Sequence, residues 1–265
     1  MITGASAGIG RATAQQCASQ GASVVLSARR ADRLDELARA IEAQGGRALG
    51  VAADVTQSDA MTALVQRAVD AFGHLDVMVC NAGIGYHGTF DETTTTAMRR
   101  LVDVNLMGTF YAAQAALPVM RRQGTGHIIA TSSIVGRRGI AGSSVYSATK
   151  MAQVGFIESL RAEFAGTGLR ASVVYPVSTE TEFHDAIHRD FGHAVAGKGP
   201  RQSADHVARA IVDCIVRPRA EVYPYPRAWW LAVLSVVAPA QADRLVRRFG
   251  RRRTPHVPAD GRAHS

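Results

Sequence analysis

Residues 3–11 read TGASAGIGR, a run of small residues that leads directly into a helical pattern. Its glycines, Gly4, Gly8 and Gly10, have the spacing G-x-x-x-G-x-G. Glycine permits a tight turn and a close approach of the backbone to a phosphate, and the free amides at the start of a helix attract anions. The spacing therefore predicts a loop that binds the pyrophosphate of a dinucleotide, although an ordinary strand-to-helix turn has a similar composition.

Apolar, β-branched runs alternate with helical patterns along most of the chain. This alternation predicts strand-helix-strand units, and hence a doubly wound α/β fold around a parallel sheet in one domain. We predict strands at 23–28, 47–53, 76–80, 127–132, 170–175 and 220–223. We predict helices at 9–20, 31–44, 57–72, 94–122 with a break, 144–166 and 203–216.

The first strand is short in this sequence. Only Met1 and Ile2 precede Thr3, whereas a full strand normally leads into a glycine loop of this kind. The sequence thus indicates either a start codon further upstream, which we favour, or a truncated central strand.

The positive charge of the chain is concentrated near its C-terminus. The formal net charge is +8, and the residues from Arg217 onward contribute +7 of it, with ten arginines against three acidic residues. A basic tail without a basic, aromatic-lined groove argues against nucleic-acid binding. There is no secretory signal pattern and no apolar run of about 18 residues, so we expect a cytoplasmic protein. The three scattered cysteines fit a reducing compartment.

The end of the second predicted strand bears on the choice of dinucleotide. Arg29 and Arg30 stand about twenty residues beyond the glycine loop, where an acidic residue would accept the ribose hydroxyls of NAD. The guanidinium fork matches a phosphate instead. Arg29, with Ser6 and Arg30 as helpers, therefore predicts NADP as the cofactor, and a solvated arginine pair is the alternative.

Tyr146 and Lys150 lie four residues apart, and so on one face of a predicted helix. A fixed cation favours the phenolate and lowers the pKa of a tyrosine, which makes the phenol useful for proton transfer near neutral pH. Ser133, thirteen residues before the tyrosine, follows a predicted strand at the edge where parallel sheets bind ligands. Its hydroxyl could polarise a substrate carbonyl, and Ser132 is the competing choice.

Together these segments resemble the short-chain dehydrogenase/reductase family. The matching segments, in the family's order, are TGASAGIG, the CNAG segment at 80–83, Asn105 in VNLMGTF, Ser133, and Tyr146 with Lys150. The resemblance covers residues 1 to about 220. It implies a Rossmann fold and an oxidoreductase that transfers a hydride between NADP(H) and a carbonyl or secondary alcohol.

The resemblance also implies roles for individual residues. Tyr146 would exchange a proton with the substrate oxygen, and Ser133 would orient that oxygen. Lys150 would hold the nicotinamide ribose and lower the pKa of the tyrosine, while Asn105 would support a proton-relay water. The implied cofactor-binding residues are Thr3, Gly4, Ser6, Gly8, Ile9, Gly10, Arg29, Asp54, Val55, Asn81, Ala82, Gly83, Tyr146, Lys150 and Thr181.

One departure from the family's pattern lies close to the expected nicotinamide position. Val177 follows Pro176 where the family has glycine, although Thr181 remains at the position of the cofactor-contacting threonine. We expect the cofactor to bind, with an altered backbone beside the nicotinamide.

We predict three segments: an NADP-binding catalytic domain over 1–225, a helical segment over 226–249 that is first apolar and then basic, and a disordered basic tail over 250–265. The apolar run WWLAVLSVVA fits three interpretations. It caps the substrate pocket or a subunit interface, it takes part in peripheral membrane contact through 229–253, or it belongs to the core.

We expect an enzyme that reduces a lipophilic small-molecule carbonyl and forms a homodimer or homotetramer through the helices near 94–122 and 144–166. The alternative is a non-catalytic NADP(H)-binding regulator or a membrane-associated scaffold on the same fold. His184, His188 and His193 suggest a metal site by spacing, but the family places its variable substrate lid there, so we expect no metal.

Overall fold

The computed structural model describes residues 1–183, 187 and 201–249. Seven strands form one sheet in which every neighbouring pair is parallel. These strands are β1 (Ile2–Thr3), β2 (Ser23–Ala28), β3 (Arg47–Ala52), β4 (Val77–Cys80), β5 (Gly126–Thr131), β6 (Leu169–Val174) and β9 (Glu221–Val222). Two further strands, β7 (Ser178–Glu180) and β8 (Arg201–Ser203), pair with each other in a separate small sheet.

Helices cover both faces of the large sheet. They are α1 (Gly8–Ser19), α2 (Ala31–Glu42), α3 (Ser58–Phe72), α4 (Thr95–Leu101), α5 (Gly108–Gln123), α6 (Ser144–Glu163), α7 (Ala204–Val216), α8 (Ala228–Val237) and α9 (Pro239–Phe249). The strand order β3-β2-β1-β4-β5-β6-β9 reverses direction between β1 and β4. This single doubly wound domain confirms the predicted fold class, and ligands bind such folds where the order reverses.

Alternate residues of the central strands supply the two halves of the core. Ile128 of β5 and Val173 of β6 are fully buried on the side of α3, α5 and α6. Their neighbours Ile129 and Val174 are buried on the side of α1 and α7. Because successive side chains of a strand point to opposite faces, a strand covered on both sides is apolar without interruption. This explains why the strands were readable from the sequence.

The first strand has two residues in the described structure. Ile2 pairs with Leu26 of β2 and with Val79 of β4, and Thr3 pairs with Ser27. Although short, β1 is buried and occupies the middle of the sheet, so Thr3 and the glycine loop start from a fixed position.

The predicted break in the helix at 94–122 is a π-helical stretch, Val102–Met107, between α4 and α5. A wider helical turn of this kind often marks a functional site. The apolar and basic C-terminal segment forms two helices, and Pro239 begins the second, where its missing amide costs nothing. The predicted tail at 250–265 lies outside the described residues.

Candidate active site

The glycine loop joins β1 to α1 at the carboxyl edge of the sheet. Gly4 and Gly8 have φ values of +68° and +55°, a region that favours glycine. A Cβ atom at Gly10 would lie 2.3 Å from the carbonyl oxygen of Gly4, and one at Gly8 would lie 2.9 Å from Cγ2 of Thr181. The loop therefore leaves its backbone bare, which fits the close approach of a pyrophosphate.

Thr3 fastens this loop to the segment that follows β4. Its hydroxyl oxygen accepts hydrogen bonds from the amides of Asn81 and Ala82, each at 3.1 Å. The side chain of Asn81 donates back to the carbonyl oxygen of Thr3 at 3.1 Å. A Cβ at Gly4 would come within 2.8 Å of Cα of Ala82. The predicted cofactor-binding residues of these two segments thus form one closely packed unit.

The two arginines after β2 differ in their contacts. Arg30 donates from Nη2 to the hydroxyl of Ser6 at 3.0 Å and from Nη1 to a carboxylate oxygen of Glu182 at 3.1 Å. Arg29 is exposed at the rim of the cavity beside Asp54. The sequence assigned the phosphate clamp to Arg29 with Arg30 as a helper. In the structure, Arg30 is the one that reaches Ser6.

Asp54 and Val55 lie at the same end of the cavity. Oδ1 of Asp54 accepts hydrogen bonds from the amide of Thr56 at 3.0 Å and from its hydroxyl at 2.9 Å, so the carboxylate is fixed. Val55 is buried against Gly108, where a Cβ would lie 2.7 Å from Cγ2 of the valine. Both residues line the cavity, as cofactor-binding residues would.

The two candidate serines differ in how strongly their hydroxyls are held. Ser132 is buried and donates to the main-chain oxygen of Lys150 at 2.9 Å. Ser133 is half-buried, and its two contacts, with the amide of Val135 at 3.4 Å and the carbonyl of Pro176 at 3.5 Å, are long. The hydroxyl of Ser133 is therefore the more readily available to a substrate, which favours it over Ser132.

Tyr146 and Lys150 lie one turn apart on α6 and both line the cavity. Nζ of Lys150 lies 5.8 Å from the centroid of the tyrosine ring and donates to the carbonyl oxygen of Thr131 at 2.9 Å. The lysine is buried, and this burial lowers its pKa to about 7. When protonated, it places a cation close to the phenol, which favours the phenolate.

Asn105 lies in the π-helical stretch and is fully buried. Its Oδ1 accepts from the amide of Ile84 at 2.8 Å, and its Nδ2 donates to the carbonyl oxygen of Ile84 at 3.0 Å and to the hydroxyl of Thr149 at 3.1 Å. These bonds hold the backbone after Gly83 against α6. The side chain of Asn105 is thus fully engaged in protein contacts.

Sequence reasoning missed Gln153, which lies one turn beyond Lys150 on α6. Its Oε1 accepts from Nζ of Lys150 at 3.1 Å, and its Nε2 donates to the main-chain oxygen of Asn105 and to the hydroxyl of Thr109, each at 2.7 Å. The residue has no exposed surface. A signal was present, because Gln153 is a polar residue on the face of α6 that also carries Val154 and Ile157 into the core.

Val177 fits its position without strain. Its amide donates to Oε1 of Gln202 in β8 at 3.2 Å, and no non-glycine residue within the described ranges has a positive φ. Val177 lines the cavity, and Thr181 packs against Gly8. Thr181 thus lies beside the glycine loop with valine at 177.

One cavity of about 830 Å³ joins these parts. It extends from the glycine loop past Ser133, Tyr146 and Lys150 to a wall formed by the two C-terminal helices. The residues of that wall are Trp230, Leu231, Leu234, Leu245 and Val246. Arg138, five residues after Ser133, fastens α9 by donating to the carbonyl oxygen of Pro239 at 2.9 Å and to Asp243 at 3.1 Å.

Two further expectations concern metals and membranes. His184, His188 and His193, which suggested a metal site by their spacing, lie outside the described residues. Within those residues, no three histidine, cysteine or acidic side chains come close enough to hold a metal ion.

None of the described helices has the length and apolar character needed to cross a membrane. The three cysteines are free and buried.

Comparison with known proteins identifies the family. The family model described as short chain dehydrogenase matches residues 1–191. The chain belongs to this family. A ketoacyl reductase, HetN, from Nostoc sp. is 32% identical over 256 residues, which are 94% of this chain and 88% of HetN. This short-chain dehydrogenase is therefore an oxidoreductase that acts on CH–OH groups or the corresponding carbonyls.

Solved structures of relatives contain either dinucleotide. A short-chain dehydrogenase/reductase from Burkholderia phymatum in complex with NAD has a TM-score of 0.82 at 25% identity, covering 98% of this chain and 96% of its own. A short chain dehydrogenase from Burkholderia cenocepacia in complex with NADP has a TM-score of 0.73 at 31% identity, covering 83% and 92%. The cavity of this short-chain dehydrogenase thus belongs to a fold that binds a nicotinamide dinucleotide.

Proposed function

We propose that this enzyme reduces a lipophilic carbonyl compound to a secondary alcohol with NADPH. The main support is the convergence of Ser133, Tyr146 and Lys150 on one cavity whose far wall is apolar. A protein that only bound the dinucleotide would need the glycine loop but not these three side chains.

The choice of NADP rests on charge at the end of β2. Arg29 and Arg30 line the cavity there, and Ser6 stands beside Arg30 as a further hydrogen-bonding group. No acidic residue stands between Ser27 and Arg30 to accept ribose hydroxyls. The bare glycine loop would hold the pyrophosphate, and Lys150 with Thr181 would hold the nicotinamide end. When bound, the dinucleotide supplies the hydride.

The chain's own residues would carry out the proton transfer to the substrate. The hydroxyl of Ser133 donates a hydrogen bond to the carbonyl oxygen of the substrate, and Tyr146 transfers the proton of its phenol to that oxygen. The tyrosine is left as a phenolate, which the ammonium group of Lys150 stabilises. Burial lowers the pKa of this lysine to about 7. The protonation state of Lys150 is therefore sensitive to the groups that contact it.

The cavity wall supports an apolar class of substrate. Trp230, Leu231 and Leu234 of α8 and Leu245 and Val246 of α9 present apolar side chains to the substrate end of the cavity. A relative that matches this chain through nearly its whole length is named a ketoacyl reductase. We therefore propose a ketoacyl or similarly apolar carbonyl substrate.

We also propose that α8 and α9 contact an anionic membrane surface. Trp229, Val236 and Val237 are exposed and fall within an arc of about 120° on the helical wheel of α8. Arg244 and Arg247 of α9 are exposed nearby, and arginines attract anionic lipid. A second copy is the weaker candidate, because a helix about 15 Å long offers far less than the roughly 800 Å² per partner of a stable interface.

We propose that self-association uses α5 and α6 instead. Met151 on α6 and Val102, the first residue of the π-helical stretch before α5, are exposed apolar residues. Phe110 and Phe156, one on each helix, are half-buried, with their ring centroids 4.6 Å apart. These helices would supply the apolar patch for a homodimer or homotetramer, which light scattering of the purified protein would test.

The decisive experiment compares NADPH and NADH binding and then measures turnover on a panel of apolar carbonyl compounds, with Tyr146→Phe as the test variant. We expect tighter NADPH binding, turnover by the wild type, and loss of turnover in the variant, which still binds NADPH. Cofactor binding without turnover on any carbonyl would support a non-catalytic regulator or scaffold. Turnover that survives the Tyr146→Phe change would contradict the assigned proton donor.

A further inference from the structure

The carboxamide of Gln153 connects Lys150 with the backbone of Asn105, two residues that belong to separate family motifs. Nζ of Lys150 donates to its Oε1 at 3.1 Å, and its Nε2 donates to the main-chain oxygen of Asn105 at 2.7 Å. The second amide hydrogen serves the hydroxyl of Thr109, also at 2.7 Å. An ammonium group can only donate and a carbonyl oxygen can only accept, so the chemistry of the partners fixes the orientation of the amide.

We propose that Gln153 is a positioning residue of the active site, which holds the ammonium group of Lys150 beside Tyr146 and couples it to the backbone of Asn105. This inference rests on the proposed function for the role of the lysine. The other described hydrogen bond of Nζ of Lys150 is to the carbonyl oxygen of Thr131. Gln153 therefore supplies one of the two acceptors that balance the burial of this cation.

The same contacts include the backbone of Asn105. Its main-chain oxygen accepts from both Gln153 and the hydroxyl of Thr109, at 2.7 and 2.8 Å. The amide of Gln153 thus directly bridges the lysine and the asparagine backbone. A fully hydrogen-bonded buried network of this kind fixes geometry, because each member has one arrangement that satisfies it.

The neighbours of Lys150 make its charge a sensitive reporter of this network. Tyr146, from the same helix, is the titratable side chain that faces it among the described residues. From the other elements it meets the carbonyl of Thr131 in β5 and the backbone at Gly83. Burial is the cause of the lowered pKa of Lys150, and no charged partner among the described residues offsets it. Removing a neutral acceptor should therefore move that pKa further down.

The test uses protein labelled with ¹³C at lysine. The chain contains two lysines, Lys150 and Lys198, so two titrating signals are expected, and Lys198 serves as an internal reference. We expect Gln153→Leu to lower the pKa of Lys150 by about one to two units. Gln153→Glu should raise it, because a carboxylate would stand against the ammonium. The matched control is Gln123→Leu, which removes a glutamine that bonds both main-chain groups of Leu75.

Activity gives the second readout. In Gln153→Leu, the loss of reductase activity with rising pH should begin about one to two pH units lower than in the wild type. Gln123→Leu should lose stability without moving that profile. A folded Gln153→Leu protein with the wild-type pKa and profile would show that the residue only packs the helix. If that variant does not fold, an unchanged Lys150 pKa in Gln153→Glu contradicts the proposal.

The two proposals fail in different ways. If the wild type shows no turnover but the pKa of Lys150 moves as described, the oxidoreductase proposal fails and the link between Gln153 and Lys150 stands. If turnover is normal and the pKa of Lys150 does not respond to either Gln153 variant, the function stands and the positioning role is wrong.

Discussion

Replacing Gly10 with alanine tests whether the glycine loop seats the dinucleotide. A Cβ at this position would lie 2.3 Å from the carbonyl oxygen of Gly4 and 2.6 Å from Nδ2 of Asn81. Carbon and oxygen atoms approach to about 3.3 Å, so the loop must move by about 1 Å. A misplacement of about 1 Å in a binding site costs on the order of a hundredfold. We therefore expect Gly10→Ala to raise the Kd for NADPH about a hundredfold.

Intrinsic helix propensity cannot produce this loss. Gly10 lies within α1 and has no positive φ, and alanine favours a helix by about 1 kcal/mol over glycine. Gly155, within α6, has open space around the position of a Cβ and serves as the control. Gly155→Ala should be about 0.5–1 kcal/mol more stable, with unchanged cofactor affinity. The assay is NADPH fluorescence titration with thermal unfolding, and a Kd within threefold of wild type for folded Gly10→Ala would refute the reasoning.

Three other predictions address the phosphate site, acid stability and the membrane surface. Arg29→Ala should raise the Kd for NADPH about tenfold to a hundredfold and leave that for NADH unchanged, because a hydrogen bond to a charged group contributes about 1.5–3 kcal/mol. Arg30→Ala should cost less NADPH affinity, because Glu182 already pairs with Arg30. Equal losses of affinity for both dinucleotides would argue against a 2′-phosphate site. Burial lowers the pKa of His127 to about 4, so between pH 6.5 and 4 the unfolded chain binds the proton first and the free energy of unfolding should fall by about 3 kcal/mol. Urea unfolding should show this loss in wild type and not in His127→Val, and identical pH dependence in both would exclude the histidine as its source. Val236→Asp should lower partition of the protein onto phosphatidylglycerol vesicles about tenfold, while the similarly exposed Val216→Asp should not. The assay is vesicle flotation, and an unchanged result for both variants would argue against the α8 surface.

The large sheet was predictable because its strands are covered on both sides. The predicted strand at 23–28 coincides with β2, Ser23–Ala28, and the others that were predicted agree to within one residue at most ends. The small sheet was not predictable. β7 and β8 are three residues long, and STE and RQS carry no apolar alternation. Their pairing joins Ser178 to Arg201, a separation in sequence that a local pattern cannot reveal.

The candidate site shows the same division between local pattern and tertiary contact. The four-residue spacing of Tyr146 and Lys150 was sufficient to place both on one helix face. Spacing could not show which of two adjacent arginines reaches Ser6, because that depends on the turn from β2 into α2. Nor could it show that Gln153 meets Asn105, since that contact joins α6 to a π-helical turn 48 residues earlier.

Arg138 has a consequence for how substrate range can change. It stands in the turn that follows Ser133 and donates hydrogen bonds to Pro239 and Asp243 in the first turn of α9. The serine proposed to orient the carbonyl and the helix that lines the far end of the cavity are thus linked through one side chain. Exchanging the C-terminal helices for those of a relative would alter selectivity and the placement of the serine together, unless the replacement also carries an acceptor for this guanidinium. We therefore expect substrate preference and turnover to change together when α9 is altered.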